Sequence, residues 1–343
     1  MKKHILILHT GGTIGMCSSA QGYVPDDGFK ALLSTRLQLQ QSAASTHPLP
    51  DYELIEFEQL IDSSNLMPAD WSKIGQMLIE RWNDYDGFIV LHGTDTMAYT
   101  ASALSFILQG IDKPVIITGS QIPLSELRND ALDNLVTSLI LAGNFAIPEV
   151  CIYFNGRLLR GNRSRKVKSS ELNAFDSPNF AWLGQVGIHI ELQYELLLKQ
   201  GTPHFTLPQF NPDAVVMAQV YPGISARVID ALLDSDQVRA LILQSYGVGN
   251  PPDKNQALIA SLERASDRGV VILNTTQCYQ GSVYQGAYAT GETLNRIGVI
   301  PGSDLTLEAA FTKLHFLIAN GCDPFYIREN ITRPLCGECS PVH

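Results

Sequence analysis

The chain has 343 residues, of which 45% are hydrophobic and 17% charged. That is enough apolar material for one large domain or two ordinary ones, and it is far from the composition of a disordered chain. A formal charge of −10 argues against a nucleic-acid partner, which calls for a clustered basic face. No apolar run approaches the about 20 residues of a membrane helix, so no membrane partner is expected either.

The start, Met1-Lys2-Lys3-His4, has the charge of a signal peptide. Its apolar run Ile5-Leu6-Ile7-Leu8 stops at His9 and enters a glycine turn, short of a hydrophobic region of roughly 7–15 residues, so a cytoplasmic location is expected. The turn, Thr10-Gly11-Gly12-Thr13-Ile14-Gly15, follows what reads as a buried strand. Adjacent glycines allow positive φ or a close approach, and ligands of open α/β sheets bind at the carboxyl ends of strands. Thr13 is therefore a candidate catalytic or binding hydroxyl.

Periodicity predicts a helix over 29–39, an alternating strand over 52–57 and a polar turn at Asp62-Ser63-Ser64-Asn65. A helix over 70–83 would place Ile74, Leu78 and Trp82 in the core. A buried strand over 87–91 leads through His92-Gly93-Thr94-Asp95-Thr96 into a helix over 97–109, with Asp95 or Thr96 as N-cap. A strand over 114–118, a helix over 131–141 and a strand over 149–154 continue the rhythm. Continuously apolar strands of this kind predict a parallel sheet covered on both faces.

Six basic residues crowd 155–168, around Gly156 and Gly161, and a hairpin or solvated arm is expected there. The rhythm fades near 191–212, where Gly201, Pro203, Pro208 and Pro212 gather. It resumes with strands over 214–220, 240–244 and 270–273 and helices over 224–233, to about 265, and over 305–318. The fold class is α/β in two domains. A larger N-terminal domain (1–190) has a mostly parallel, covered sheet; a linker (191–213) leads to a smaller C-terminal domain (214–343) with a parallel sheet.

Thr94-Asp95 ends its strand as Thr13 ends the first, so both loops share one sheet edge. Capping explains most aspartates at such a place; a hydroxyl beside it, mirrored by Thr13, is harder to dismiss. A threonine needs a base to take its proton. His92 is one candidate, although a histidine there more often lines a loop. Lys166 is another, if its basic arm folds inward instead of remaining a solvated charge run. A nucleotide reading of Thr10–Gly15 is weak, because only half of G-x-G-x-x-G is present and there is no Walker sequence. Cys336-Gly337-Glu338-Cys339, with His343 as at most a third ligand, reads as an incidental tail, not a metal or redox site.

Thr10–Gly15 and Leu91-His92-Gly93-Thr94-Asp95-Thr96-Met97 together resemble the two signatures of the bacterial-type L-asparaginase family, in order. Asp62-Ser63-Ser64 resembles the substrate turn between them. The similarity runs on through Ile117–Leu124, Arg160-Gly161-Asn162-Arg163, Ser245–Asn250, Thr275–Cys278 and Ala289-Thr290-Gly291, over nearly the whole chain. The absence of a leader resembles the cytoplasmic type I branch. The resemblance implies hydrolysis of L-asparagine to L-aspartate and ammonia, with no metal and no organic cofactor, in a homotetramer built as a dimer of dimers.

It further implies that Thr13 is the nucleophile of a covalent acyl-enzyme, that Tyr23 assists it from a flexible lid, and that Thr94, Lys166 and Asp95 form a second catalytic set with Lys166 as base. Asp62, Ser63, Ser64, Thr94 and Asp95 would bind substrate. Some type I enzymes have a regulatory asparagine site with an arginine where this chain has Gln244, and a threonine where it has Arg165; Cys278 matches. Homotropic activation is therefore expected to be lost or weakened, unless Arg165 takes over. Two other readings compete. A non-catalytic amino-acid sensor would have no need of a lysine base, and a tRNA-dependent amidotransferase subunit would bring an extra N-terminal domain.

Overall fold

The computed structural model describes residues 2–40, 46–286 and 289–341, with backbone only at 289–290. The chain divides into two compact units, Met1–Leu207 and Pro208–His343. Among the described residues, no helix is long and apolar enough to cross a membrane.

The first unit runs β1 (His4–His9), β2 (Met16–Ser19), β3 (Gly22–Pro25), α1 (Phe29–Gln40), β4 (Asp51–Glu56), α2 (Pro68–Glu80), β5 (Gly87–Leu91), α3 (Met97–Ile107), β6 (Val115–Thr118), α4 (Ala131–Asn144) and β7 (Val150–Phe154). Short strands then follow: β8 (Arg157–Arg160), β9 (Arg165–Lys166), β10 (Phe175–Asp176), β11 (Gly184–Val186) and β12 (Ile190–Leu192). One sheet has the order β12-β11-β8-β7-β6-β5-β1-β4. It is parallel from β4 through β7 and antiparallel beyond.

All five residues of β5 are buried, as a strand covered on both faces requires. Ile89 and Leu91 join Ile5 and Ile7 of β1 in one core with Phe29, Leu33 and Leu37 of α1 and Leu135 and Leu139 of α4. Phe88 and Val90 are buried too and point to the other face. The consequence for the site is directional: the turns after β1 and β5 leave the sheet at the same edge, side by side, because β1 pairs with β5 in parallel.

The basic run differs from the solvated arm. Its hairpin exists: Asn155 (φ 46°) and Gly156 (φ 81°) turn β7 into β8, the Asn-Gly chemistry of a tight hairpin. The side chains, however, go inward. Arg160 is 5% exposed, pairs with buried Glu149 at 2.7 Å and donates to the Leu196 carbonyl at 2.6 Å. Arg157 lies 4.3 Å over the Trp182 ring and 3.4 Å from Asp176. Arg163 is buried 5.1 Å from the Phe180 ring. Each cation found a partner distant in sequence; burial without one would cost several kcal/mol.

The second unit runs β13 (Val215–Gln219), α5 (Ala226–Leu232), β14 (Ala240–Ser245), α6 (Gln256–Asp267), β15 (Val271–Thr276), α7 (Ala289–Arg296), β16 (Ile300–Pro301), α8 (Leu307–Ala319) and α9 (Pro324–Asn330). Its sheet, β13-β14-β15-β16, is parallel throughout. Near the C-terminus, Glu338 between the two cysteines pairs with Lys313 at 2.6 Å, both side chains fully buried. Lys313 also donates to the carbonyls of Ile331 (2.8 Å) and Arg333 (2.6 Å). Glu338 accepts from the backbone N–H groups of Leu335 and Cys336. The Cys-x-x-Cys tail is therefore a tied knot, with the Cys339 thiol donating to the Thr332 carbonyl at 3.3 Å. His343 lies outside the described residues.

Candidate active site

Gly11 (φ +133°) and Gly12 (φ +91°) carry the turn after β1. A Cβ on Gly12 would overlap the backbone of Gly93, and one on Gly11 would overlap Ile61. The glycines thus do more than free the chain: they let three loop backbones touch. Thr13 opens a short 3-10 turn, half-buried, beside the turn that holds Thr94. Thr10 seals the arrangement, its N–H and its hydroxyl both donating to the Leu91 carbonyl at 3.0 and 2.9 Å.

The third loop is Asp62-Ser63-Ser64. Ser63 is buried; its hydroxyl accepts from the Asp95 N–H at 3.3 Å, and its carbonyl accepts from the Thr96 hydroxyl at 2.8 Å. Asp62 is exposed and caps its own turn by accepting from the Ser64 N–H at 3.0 Å. Ser64 is exposed.

Lys166 joins this edge from β9. Its Nζ donates to Thr94 Oγ1 at 2.8 Å and to Asp95 Oδ1 at 2.6 Å. Thr96, not Asp95, stands at the N-cap of α3, and it makes no side-chain cap bond. Asp95 is therefore engaged with the lysine and not spent on capping. Thr94 is 7% exposed while the Asp95 side chain is 60% exposed, so the set has a sheltered hydroxyl and an open carboxylate. An ammonium bridging the two can hold an anionic or polar ligand at the edge and can exchange a proton with the hydroxyl.

Tyr23 lies on the β2–β3 hairpin opposite Ser18, 50% exposed, and is not brought into hydrogen bonding with Thr13. Arg165 pairs across to Asp176 in the β9–β10 ladder, in the first unit; Gln244 and Cys278 belong to the second. The Gln244 carbonyl accepts from Val220 N–H and Gln277 Nε2, both at 2.9 Å, and Cys278 is exposed. Among the described residues no group of three or more His, Cys, Asp and Glu could hold a metal.

His92 is not a base for Thr94. Its Nδ1 is 2.7 Å from the Gly93 carbonyl, which can only accept, so Nδ1 carries the proton. Nε2 then accepts from the Thr100 hydroxyl at 2.9 Å. Burial pushes its pKa down to about 4, against the opposing pull of the Gly93 carbonyl. Above about pH 6.5 the ring is neutral both folded and unfolded; between there and 4 only the unfolded chain takes up the proton, so stability falls as pH falls. The loss is on the order of 3 kcal/mol. Denaturant titrations at about pH 7 and pH 4 should show His92→Gln losing less stability over that interval than the parent. Equal losses would rule out the buried ring as the cause.

Sequence reasoning missed Gln121 and Asp130. The Gln121 side chain meets Thr94, and Asp130 holds that loop by accepting from the N–H groups of Gln121 (3.0 Å) and Ile122 (2.9 Å). Gln121 falls within the Ile117–Leu124 stretch that resembles the family, but neither residue has a local pattern that marks it for the site; their partners do.

Comparison with known proteins identifies the family. Residues 4–198 match the family described as "Asparaginase, N-terminal", and 214–330 match "Glutaminase/Asparaginase C-terminal domain". The chain is 46% identical to L-asparaginase 1 of Escherichia coli K12, over 99% of both chains. The crystal structure of L-asparaginase I from Vibrio cholerae superposes with a TM-score of 0.90 at 41% identity, covering 99% of this chain and all of that one. The thermostable L-asparaginase from Thermococcus kodakarensis gives 0.87 at 31% identity, with 99% and 100% covered. Three touching loops and a lysine-bridged Thr-Asp pair thus sit within a match spanning both units, and the chain belongs to the asparaginase family.

Proposed function

We propose that this chain hydrolyses the side-chain amide of L-asparagine to L-aspartate and ammonia. The observation that carries the reading is the approach of Lys166 Nζ to both Thr94 Oγ1 (2.8 Å) and Asp95 Oδ1 (2.6 Å) beside the Thr13 turn, in a chain of this family.

Thr13 Oγ attacks the amide carbon and gives up its proton; the C–N bond breaks, and the nitrogen leaves as ammonia. Water then attacks the threonyl ester, releasing L-aspartate and restoring the hydroxyl. Two modest barriers replace one high barrier, which is what an unreactive amide needs. Thr94, Lys166 and Asp95 move the protons, and a lysine serves as base in its neutral form. Tyr23 assists Thr13 when its hairpin closes and sheds water. Asp62, Ser63, Ser64 and Asp95 grip the α-amino and α-carboxylate groups. Backbone N–H groups near Thr94 stabilise the oxyanion, each donor worth about 3 kcal/mol. The reading includes a cytoplasmic tetramer of two intimate dimers.

The test is a paired assay of the purified protein on L-asparagine and L-glutamine, measuring ammonia and the amino-acid product together. Equal molar release of ammonia and aspartate is expected. Calorimetric binding of asparagine with no ammonia over hours would make the chain a sensor instead.

A further inference from the structure

We propose that Gln121 is a positioning residue, whose side-chain amide sets where the Thr94 hydroxyl directs its proton. The proposal rests on the Thr94–Lys166–Asp95 reading above and adds a member to it.

Hydrogen-bond chemistry fixes the orientation of the amide. Its Nε2 faces two backbone carbonyls, Ser169 at 3.2 Å and Glu171 at 3.1 Å. Carbonyls only accept, so both amide protons are used there and Oε1 must face Thr94, at 3.3 Å. Oε1 cannot donate, so the single Thr94 proton goes to it. The Thr94 lone pairs are left for Lys166 Nζ at 2.8 Å. With lysine charged, the Thr94 proton and both amide protons of Gln121 have acceptors. Once lysine is neutral, its lone pair competes for the Thr94 proton, and the long bond to Gln121 is the weaker one to give up. Gln121 thus holds the proton in reserve and releases it when the base is ready.

The same amide also ties the lysine's own segment to Thr94. Ser169 and Glu171 follow Lys166 closely in the chain, and Glu171 is held by Lys168 at 2.7 Å. The Gln121 backbone, by contrast, is fixed by Asp130 at 3.0 and 3.2 Å. A changed side chain at 121 therefore leaves the loop anchored.

The experiment compares Gln121→Met, Gln121→Glu and Lys166→Met with the parent, measuring ammonia from L-asparagine for separate kcat and KM. Circular dichroism checks that each variant is folded. Gln121→Met should lower kcat by about 10–100-fold with KM within about threefold, because orientation in the reacting state is lost and ground-state binding is not. Gln121→Glu turns a second oxygen onto two carbonyls and fits only when protonated. Its kcat relative to the parent should rise as pH falls from about 8 to about 5. A Gln121→Met enzyme with parental kcat would overturn the proposal, as would a Gln121→Glu ratio flat with pH. Parental turnover in Lys166→Met would instead overturn the reading beneath it, and so separates the two failures.

Discussion

Thr13→Ala is expected to cut ammonia release from L-asparagine by on the order of 10⁴-fold or more, since the loss of a nucleophile removes the covalent route and leaves only binding and oxyanion stabilisation. Folding should survive. The turn is held by backbone: Gly15 N–H to the Gly12 carbonyl at 3.2 Å, Leu124 N–H to the Ile14 carbonyl at 3.2 Å, and the close approach of Gly12 to Gly93. None of these uses the Thr13 side chain, so the unfolding free energy should stay within about 1 kcal/mol of the parent. The measurement is steady-state ammonia release beside a thermal melt. A folded Thr13→Ala enzyme turning over near the parental rate would transfer the nucleophile's role to Thr94, the hydroxyl bonded to Lys166.

Lys166→Met comes next in size, with a loss of about 10³-fold, inside the range for a general acid or base. Methionine keeps the unbranched stem without the ammonium, and the β9–β10 backbone pair Lys166–Phe175 does not depend on that ammonium. What goes is the donor to Thr94 Oγ1 and the cation on Asp95. Mass spectrometry of protein quenched during turnover separates the two steps. A lasting aspartyl ester on Thr13 would place Lys166 in its hydrolysis, and unmodified protein would place it in its formation. Turnover at the parental rate would remove the lysine from the chemistry altogether.

Much of the frame was legible in the residues alone. Strand β5 matches the continuous apolar run 87–91 to the residue, because a strand covered on both faces must be apolar throughout. Helix α1, expected over 29–39, spans Phe29–Gln40, since one buried face imposes helical spacing. Thr13 and Thr94 could be paired as ends of strands that share an edge, because a parallel sheet puts every carboxyl end on one side. The strand elements β8 to β12 could not be read that way, with two to four residues each and no room for periodicity.

Tertiary structure alone decided the fate of the charges. Arg157, Arg160 and Arg163 look like a solvated run, yet they are drawn inward by Asp176, Trp182, Glu149 and Phe180. A cation is stable wherever its partner is, and partners outside the local run leave no local pattern. The same holds for Gln121, whose three contacts lie 27 to 50 residues distant, and for Asp95, whose lysine is 71 residues on. Residue types and spacing therefore determined which hydroxyls and which lysine were available at the sheet edge. Only the folded chain determined that Thr94 accepts from Lys166 and donates to Gln121, because a hydrogen bond is a matter of distance and direction.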